Sequence, residues 1–210
     1  MKFGVLQAPR PFDDDYLKLK AAGPVMDSDA LLRLVKSKLT PGEPHEPPGE
    51  AMAGVAITLA GPSLKTLMIK RAEREGDPWS GQVAFPGGRR ERYDRSLLKT
   101  ATREMKEEVG IDLRRSAIYL GHLGVFRTHT GTMLVVPCAF LMRKEERVEP
   151  NAEVSSYRWI PIEVFLRENS RSTYALKRGG ENAKVPAYVY QDYVIWGLSY
   201  RMISALLGRE

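Results

Sequence analysis

The stretch GQVAFPGGRRERYDRSLLKTATREMKEEVG, residues 81–110, begins as an extended run, turns at Pro86-Gly87-Gly88 and ends dense in glutamate. From Asp94 to Val109 the residues Leu97, Leu98, Ala101, Met105 and Val109 recur at helical spacing and form one apolar stripe, with Gly110 as the natural stop. Glu104 and Glu108 fall one turn apart and Glu107 is a near neighbour, so the carboxylates share a flank beside that stripe. Packing the stripe under a sheet holds the acids at a groove edge. Like charges at this spacing cost about 0.2–0.5 kcal/mol when nothing offsets them. Two readings stay open: a solvated helix face, or a cage for a divalent cation such as Mg²⁺ or Mn²⁺, which prefer oxygen ligands. Gly87 and Gly88 tolerate conformations other residues avoid, so the turn can bring backbone groups close to a metal or phosphate. Arg103 points elsewhere on the helix and is placed to brace the loop through Asp94 rather than to join a metal shell.

The rest of the 210-residue chain is long enough for one large domain or a domain with a small extension. Its composition, 43% hydrophobic and 28% charged with a mean hydropathy of -0.33, is ordinary for a soluble globular protein. No apolar run reaches the ~18 residues of a membrane helix, and the N-terminal MKFGVLQAPRPFDDD has no continuous hydrophobic core of a signal peptide, so the expected location is the cytoplasm without a membrane partner. The formal charge of +6 favours anionic partners. No zinc-finger spacing, aromatic ribonucleoprotein strand or helix-turn-helix accompanies it, so no nucleic acid is expected as primary partner. The single cysteine, Cys138, excludes an intrachain disulfide and reads as a buried strand thiol within MLVVPCAFLM.

Along the chain, DSDALLRLVKSKL (27–39) is a helix candidate capped by Asp27 or Ser28. TPGEPHEPPGE (40–50) stops it, either as a stiff, exposed connector carrying His45 or as a segment that wraps over a site. MAGVAITLA and KTLMIKRAE flank GPS as a hairpin. After the glutamate helix, SAIYLGHLGVFRTHTGTMLVVPCAFLMR supplies two or three strands with THTG as a turn, and EVSSYRWIPIEVF adds another. Residues 167–184 read as a polar interval before a strand-like aromatic section and a terminal helix. The order helix, strands, helix, strands, helix gives an α/β (α+β) fold, a mixed β-sheet sandwiched between helices. Residues 1–49 form an N-terminal extension and 50–210 the main domain.

Gly88, Asp94 and REMKEEVGI (103–111) resemble the Nudix box, the signature of hydrolases that cleave a nucleoside diphosphate linked to another moiety. In the usual pattern the first acid is a glutamate separated by seven residues from the Arg-Glu pair; here it is Asp94, and eight residues separate it from Arg103. That offset bears on the Asp94–Arg103 brace more than on the acids, and with aspartate it is familiar in the coenzyme A diphosphatase branch. IKRAEREGDPWSGQVAFPGG (69–88) is similar to that branch's upstream extension through Arg71, Ala72, Gly81, Phe85, Pro86, Gly87 and Gly88, with Arg74 displaced from the later arginine position. NAEVSSYRWIPI (151–162) resembles the strand bearing another acid, at Glu153, and VIWGLSYRMISALL (194–207) the C-terminal helix.

The resemblance implies Mg²⁺- or Mn²⁺-dependent attack of water on a diphosphate phosphorus. Glu104, Glu107 and Glu108 are the implied ligands or base, with the Gly87 carbonyl and Glu153 as further metal ligands. Glu104 is the expected base, Glu108, Glu153 and Arg103 complete the catalytic set, and Arg71, Arg74 and Gly88 meet the substrate. The substrate would be a small nucleotide diphosphate. In the coenzyme A branch the products are 3',5'-ADP and 4'-phosphopantetheine. Other Nudix substrates, ADP-ribose, nucleoside triphosphates and dinucleotide polyphosphates, are the first alternative; a non-catalytic nucleotide- or RNA-binding domain is the second. His122 reads as a satisfied sheet histidine, His129 as a turn residue near the substrate or in solvent, and Trp196 as core or as surface of a homodimer.

Overall fold

The computed structural model describes residues 26–46, 50, 52–77, 79–129, 131–178 and 181–209. The reading of residues 1–25 and of 47–49 in the connector lies outside them. The elements follow the expected alternation. Helix α1 (Ser28–Ser37) begins at an Asp27 cap that accepts from the Ala30 N–H. Strands β1 (Met52–Ala60), β2 (Lys65–Arg71), β3 (Val83–Ala84) and β4 (Gly87–Arg89) precede α2 (Leu97–Val109) and the short α3 (Leu113–Ser116). Strands β5 (Ala117–His122), β6 (Phe126–Arg127), β7 (Leu134–Met142) and β8 (Val154–Pro161) follow, then β9 (Arg171–Arg178), β10 (Glu181–Tyr190), β11 (Tyr193–Trp196) and α4 (Gly197–Leu206).

The larger sheet is mixed, with a main path β3-β2-β1-β7-β5 and with β4, β6 and β8 paired to β1, β7 and β2. β1 and β2 form the expected antiparallel pair, and β1 runs parallel to β7 from Met52↔Leu134 to Ala60↔Met142. A central strand is covered on both faces, which explains why MAGVAITLA is apolar throughout instead of alternating. Its residues still divide by parity. Ala56 and Ala60 pack with Ala101, Met105 and Val109 of α2, whereas Ile57 and Leu59 pack with Leu31 and Val35 of α1 and Ile203 and Leu206 of α4. Helices therefore cover both faces, and the mixed-sheet sandwich expected from the sequence is the observed fold. Each large apolar side chain fully buried in these layers stabilises it by about 1.5–3 kcal/mol.

Three segments differ from the sequence reading. The glutamate helix starts at Leu97 with Ser96 as its cap, because Asp94 is occupied in the preceding loop; it ends at Gly110 in the left-handed conformation (φ 78°). Gly87–Arg89 continues beyond its turn as β4, pairing antiparallel with Ala53–Val55 of β1. The polar interval 167–184 forms a short 3-10 turn, all of β9 and the start of β10. Those two strands pair from Glu181↔Arg178 to Tyr188↔Arg171 in a separate three-stranded sheet with β11. Their polar composition suits a ribbon in which Arg171, Ser172, Thr173 and Ala175 are exposed, so β9 lacks the apolar alternation that marks a half-buried strand. Cys138 is fully buried, and burial pushes its thiol up to about 12. Among the described residues no helix is long and apolar enough to cross a membrane.

The first turn of α2 lies directly on β1. A Cβ placed on Gly54 would sit 2.4 Å from the Leu97 carbonyl oxygen and 3.1 Å from the Ala101 nitrogen, both backbone atoms that cannot swing aside. Gly54→Ala is expected to lower stability by about 3 kcal/mol in chemical denaturation, because the helix must lift from the sheet. Gly124→Ala, where a Cβ meets nothing within 4 Å, serves as the control and should stay within ~0.5 kcal/mol of the parent.

Candidate active site

The site is assembled where β4, zipped to β1, runs beneath the acidic flank of α2. Glu108 is 2% exposed, and its Oε2 accepts the Gly87 N–H at 2.9 Å. Burial is the largest influence on this carboxyl and pushes it up to about 8; the neighbouring Glu104 and Glu153 charges act the same way, against the Gly87 hydrogen bond and Arg71. Glu104 is also shifted upward, chiefly by burial, although the adjacent Arg103 guanidinium opposes the shift. Glu107 faces solvent, with its side chain 53% exposed. The flank is thus a gradient from a buried acid to a wet one, which identical residue types in the sequence do not reveal.

Gly88 permits the close approach of Glu104. A Cβ at position 88 would lie 2.5 Å from Glu104 Oε1 and 2.7 Å from its Cδ, so any side chain there displaces the carboxylate. Gly88 therefore serves here as the floor under an acid, whatever it also offers a substrate.

Arg103 holds the cluster together. Its Nε and Nη2 donate to the Asp94 carboxylate, with Nη2 at 2.9 Å from Oδ2, and Nη2 also reaches the Arg89 carbonyl at 3.0 Å. Asp94 is 5% exposed and also accepts from the Glu91 N–H and the Thr100 hydroxyl, both at 3.0 Å. Desolvation pushes Asp94 upward, but the Arg103, Glu91 and Thr100 hydrogen bonds outweigh it and hold the carboxyl below its ordinary value. The eight-residue offset leaves this bracing contact intact. A departure from the sequence reading is that Arg103 does not turn away from the acids: its Nη1 donates to Glu104 at 2.7 Å and to Glu107 at 2.8 Å. The reason is electrostatic, since a guanidinium has five donors and these are the nearest anions.

Glu153 stands in the turn just before β8 rather than within the strand, and its side chain is 45% exposed. The turn hangs from the end of α2: the Asn151 N–H donates to the Glu108 carbonyl at 2.9 Å, and Asn151 Oδ1 accepts the Glu153 N–H at 2.8 Å. Asn151 carries no mark of this role beyond its turn-forming residue type. The two substrate-binding arginines are held by acids. Arg71 Nη2 donates to Asp77 Oδ2 at 3.0 Å and Arg74 Nη1 to Glu153 Oε1 at 3.1 Å. Arg71 keeps a buried Nε without a partner, a donor that desolvation makes costly to leave idle. His122 is bound on both sides of its backbone to Thr40 and its Nδ1 lies 2.9 Å from the Leu123 carbonyl oxygen, a satisfied sheet histidine. His45 and His129 are exposed, and Trp196 stacks on Tyr174 at 5.1 Å between ring centroids.

Among the described residues no three acids, histidines or cysteines converge as a ready metal cluster. The carboxylates are divided, Glu104 and Glu107 to Arg103, Glu108 to the Gly87 amide. The donor set nonetheless suits a hard divalent cation: oxygen ligands only, one of them a carboxyl that burial pushes up, with the Glu104 and Glu153 charges acting the same way.

A NUDIX domain model matches residues 50–177, more than half of the chain. The chain belongs to the Nudix hydrolase family and is a hydrolase of nucleoside-diphosphate-linked substrates. It is 32% identical over 155 residues to the uncharacterized Nudix hydrolase NudL of Photorhabdus laumondii, across 73% of this chain and 82% of that protein. It is 35% identical over 137 residues to the peroxisomal coenzyme A diphosphatase ndx-8 of Caenorhabditis elegans, across 63% of this chain but only 58% of that longer relative. The crystal structure of a MutT/nudix family protein from Enterococcus faecalis shares the fold at a TM-score of 0.50 and 19% identity, covering 93% of this chain and 74% of that one.

Proposed function

We propose that this chain is a divalent-metal-dependent diphosphatase acting on coenzyme A or its derivatives. The observation that carries the metal-dependent chemistry is Glu108, a carboxyl enclosed beside the glycine turn and pushed up to about 8, with Glu104 and Glu107 on the same flank. Support for the substrate comes from the similarity to the coenzyme A diphosphatase ndx-8 and from the run Arg71 to Gly88.

Glu104, Glu107, Glu108 and the Gly87 carbonyl would hold Mg²⁺ or Mn²⁺, with Glu153 as a further ligand. When bound, the ion supplies charge neutralisation at the non-bridging phosphate oxygens and makes water more acidic. Glu104 accepts the proton of the attacking water; its upward shift makes it a stronger base near neutral pH. The new phosphorus–oxygen bond forms as the diphosphate bridge breaks, and the bridging oxygen leaves with one phosphate. Arg103 keeps Glu104 in place and is held in turn by Asp94. Arg71, with its idle Nε, and Arg74 bind substrate phosphate, a task that suits a forked donor. We further propose that the protein works in the cytoplasm, as a homodimer.

Incubation with Mn²⁺ and a panel of coenzyme A, ADP-ribose, dATP and diadenosine polyphosphates tests the reading. The expected result is cleavage of coenzyme A to 3',5'-ADP and 4'-phosphopantetheine, abolished by chelation. Preferred turnover of another member of the panel replaces the substrate; no turnover of any member defeats the proposal.

A further inference from the structure

The connector that precedes the family-matched region does more than link α1 to the sheet. Glu46 reaches across 51 residues, and its Oε1 accepts the Leu97 N–H at 2.6 Å while Oε2 pairs with Arg90. The side chain of Glu46 is only 17% exposed. Leu97 opens α2, and no acidic residue stands in that helix's own first turn. A helix N-terminus carries unpaired N–H groups and partial positive charge, so the anion it lacks locally is supplied from the connector. The connector is fastened before it gets there: Thr40 bridges to His122 by two backbone hydrogen bonds, Tyr119 donates its hydroxyl to the Gly42 carbonyl at 2.9 Å, and Pro44 is buried.

Arg90 extends the contact toward the acids. Its Nε and Nη2 both donate to the Asp94 carbonyl at 3.1 Å, and its backbone N–H donates to the Met52 carbonyl at 2.9 Å. The Asp94 carboxylate binds Arg103, and Arg103 binds Glu104 and Glu107. An unbroken series of contacts therefore runs from Glu46 through Arg90, Asp94 and Arg103 to the carboxylates of α2.

We propose that Glu46 is a positioning residue of the hydrolase, setting the loop 89–95 and the start of α2 so that Arg103 presents Glu104 and Glu107 correctly. This rests on the metal-dependent reading above. A cap that only stabilises the fold would change the melting temperature and nothing else. A positioning residue also changes the state of Arg103, which Glu46 never touches.

The experiment compares the full chain with Glu46→Ala and Glu46→Asp. In ¹⁵N-resolved NMR without metal, the Arg103 Nε–H of Glu46→Ala is expected to shift and to exchange with water several-fold faster. Mn²⁺ affinity, followed by electron paramagnetic resonance, is expected to fall about tenfold. With the substrate found by the panel, kcat is expected to fall about tenfold at 25 °C with KM within twofold, since small displacements of positioned groups act on the chemical step. The shorter carboxylate of Glu46→Asp should restore part of each of these three effects. An unchanged Arg103 signal, or a change confined to the melting temperature or to KM, overturns the proposal. Because the Arg103 signal needs neither metal nor turnover, a parent protein that hydrolyses nothing defeats the metal-dependent reading while the Glu46 contact is still judged by itself.

Discussion

Glu108→Gln is expected to abolish turnover, by about 10³-fold or more, while making the metal-free protein more stable at pH 8. Catalytic loss follows from removing the buried anion that would face the cation; the amide preserves volume and can still accept the Gly87 N–H. The stability gain follows from proton linkage. Glu108 has an ordinary value of 4.5 and is pushed up to about 8 in the folded protein, so between these values the folded chain binds more protons than the unfolded one. Stability must then decline as pH rises through that window. The contribution of the protonated carboxyl is fully present below 4.5 and is lost as pH rises through about 8. Glutamine does not titrate. Melting temperatures measured in a chelator should therefore coincide for variant and parent near pH 4.5 and separate in the variant's favour up to pH 8. Equal temperatures at pH 8, or turnover within tenfold of the parent, would contradict this assignment of Glu108.

Arg103→Met is expected to be the most destabilising single change at the site, by about 3–5 kcal/mol, because it leaves the Asp94 carboxylate buried without its counter-charge. Asp94 is 5% exposed, so water cannot replace the guanidinium without opening the loop. The companion change Asp94→Asn removes the stranded charge, and the double variant should recover more than half of the loss. Urea titration of the four proteins gives the coupling directly. The pH dependence has the opposite sign to that of Glu108. Asp94 is held below its ordinary value of 3.8, so its contribution is present above that value and is lost as pH falls through the lowered one. The gap between parent and Arg103→Met should accordingly narrow as pH falls, because Asp94 in the variant, with desolvation no longer opposed by the guanidinium, takes up a proton at higher pH than in the parent and then needs no partner. Additive losses in the double variant would mean that Arg103 acts through Glu104 and Glu107 instead.

The three glutamates of α2 and the arginine were legible because local spacing carries them. A stripe at Leu97, Ala101, Met105 and Val109 and a stop at Gly110 place REMKEE on one helix without any tertiary information. The hairpin of β1 and β2 was legible for the same reason, since its strands are neighbours in the chain. Elsewhere the local signal was weak. Gly179-Gly180 between two polar runs is a hairpin signal in the sequence, but β9 lacks the alternating hydrophobicity that would mark the strand before it. A glycine within an apolar strand signals a close approach, which is what Gly54 provides, but which element approaches cannot be read from position 54.

By itself the sequence determined the helix that carries Glu104, Glu107 and Glu108, the glycine turn before it, and an order of elements that fits one mixed sheet between helices. Those properties depend on periodicity and on residues a few positions apart. Only the tertiary structure decided how the acids differ: Glu108 is buried against the Gly87 amide, Glu107 faces water, and Arg103 gathers Glu104, Glu107 and Asp94. It alone decided that β1 runs parallel to β7 and that Glu46 closes the start of α2 from 51 residues away. The physical reason is that burial and charge pairing are set by what the fold brings alongside a residue, and the adjacent Glu107 and Glu108 acquire different chemistry only because one of them loses its water.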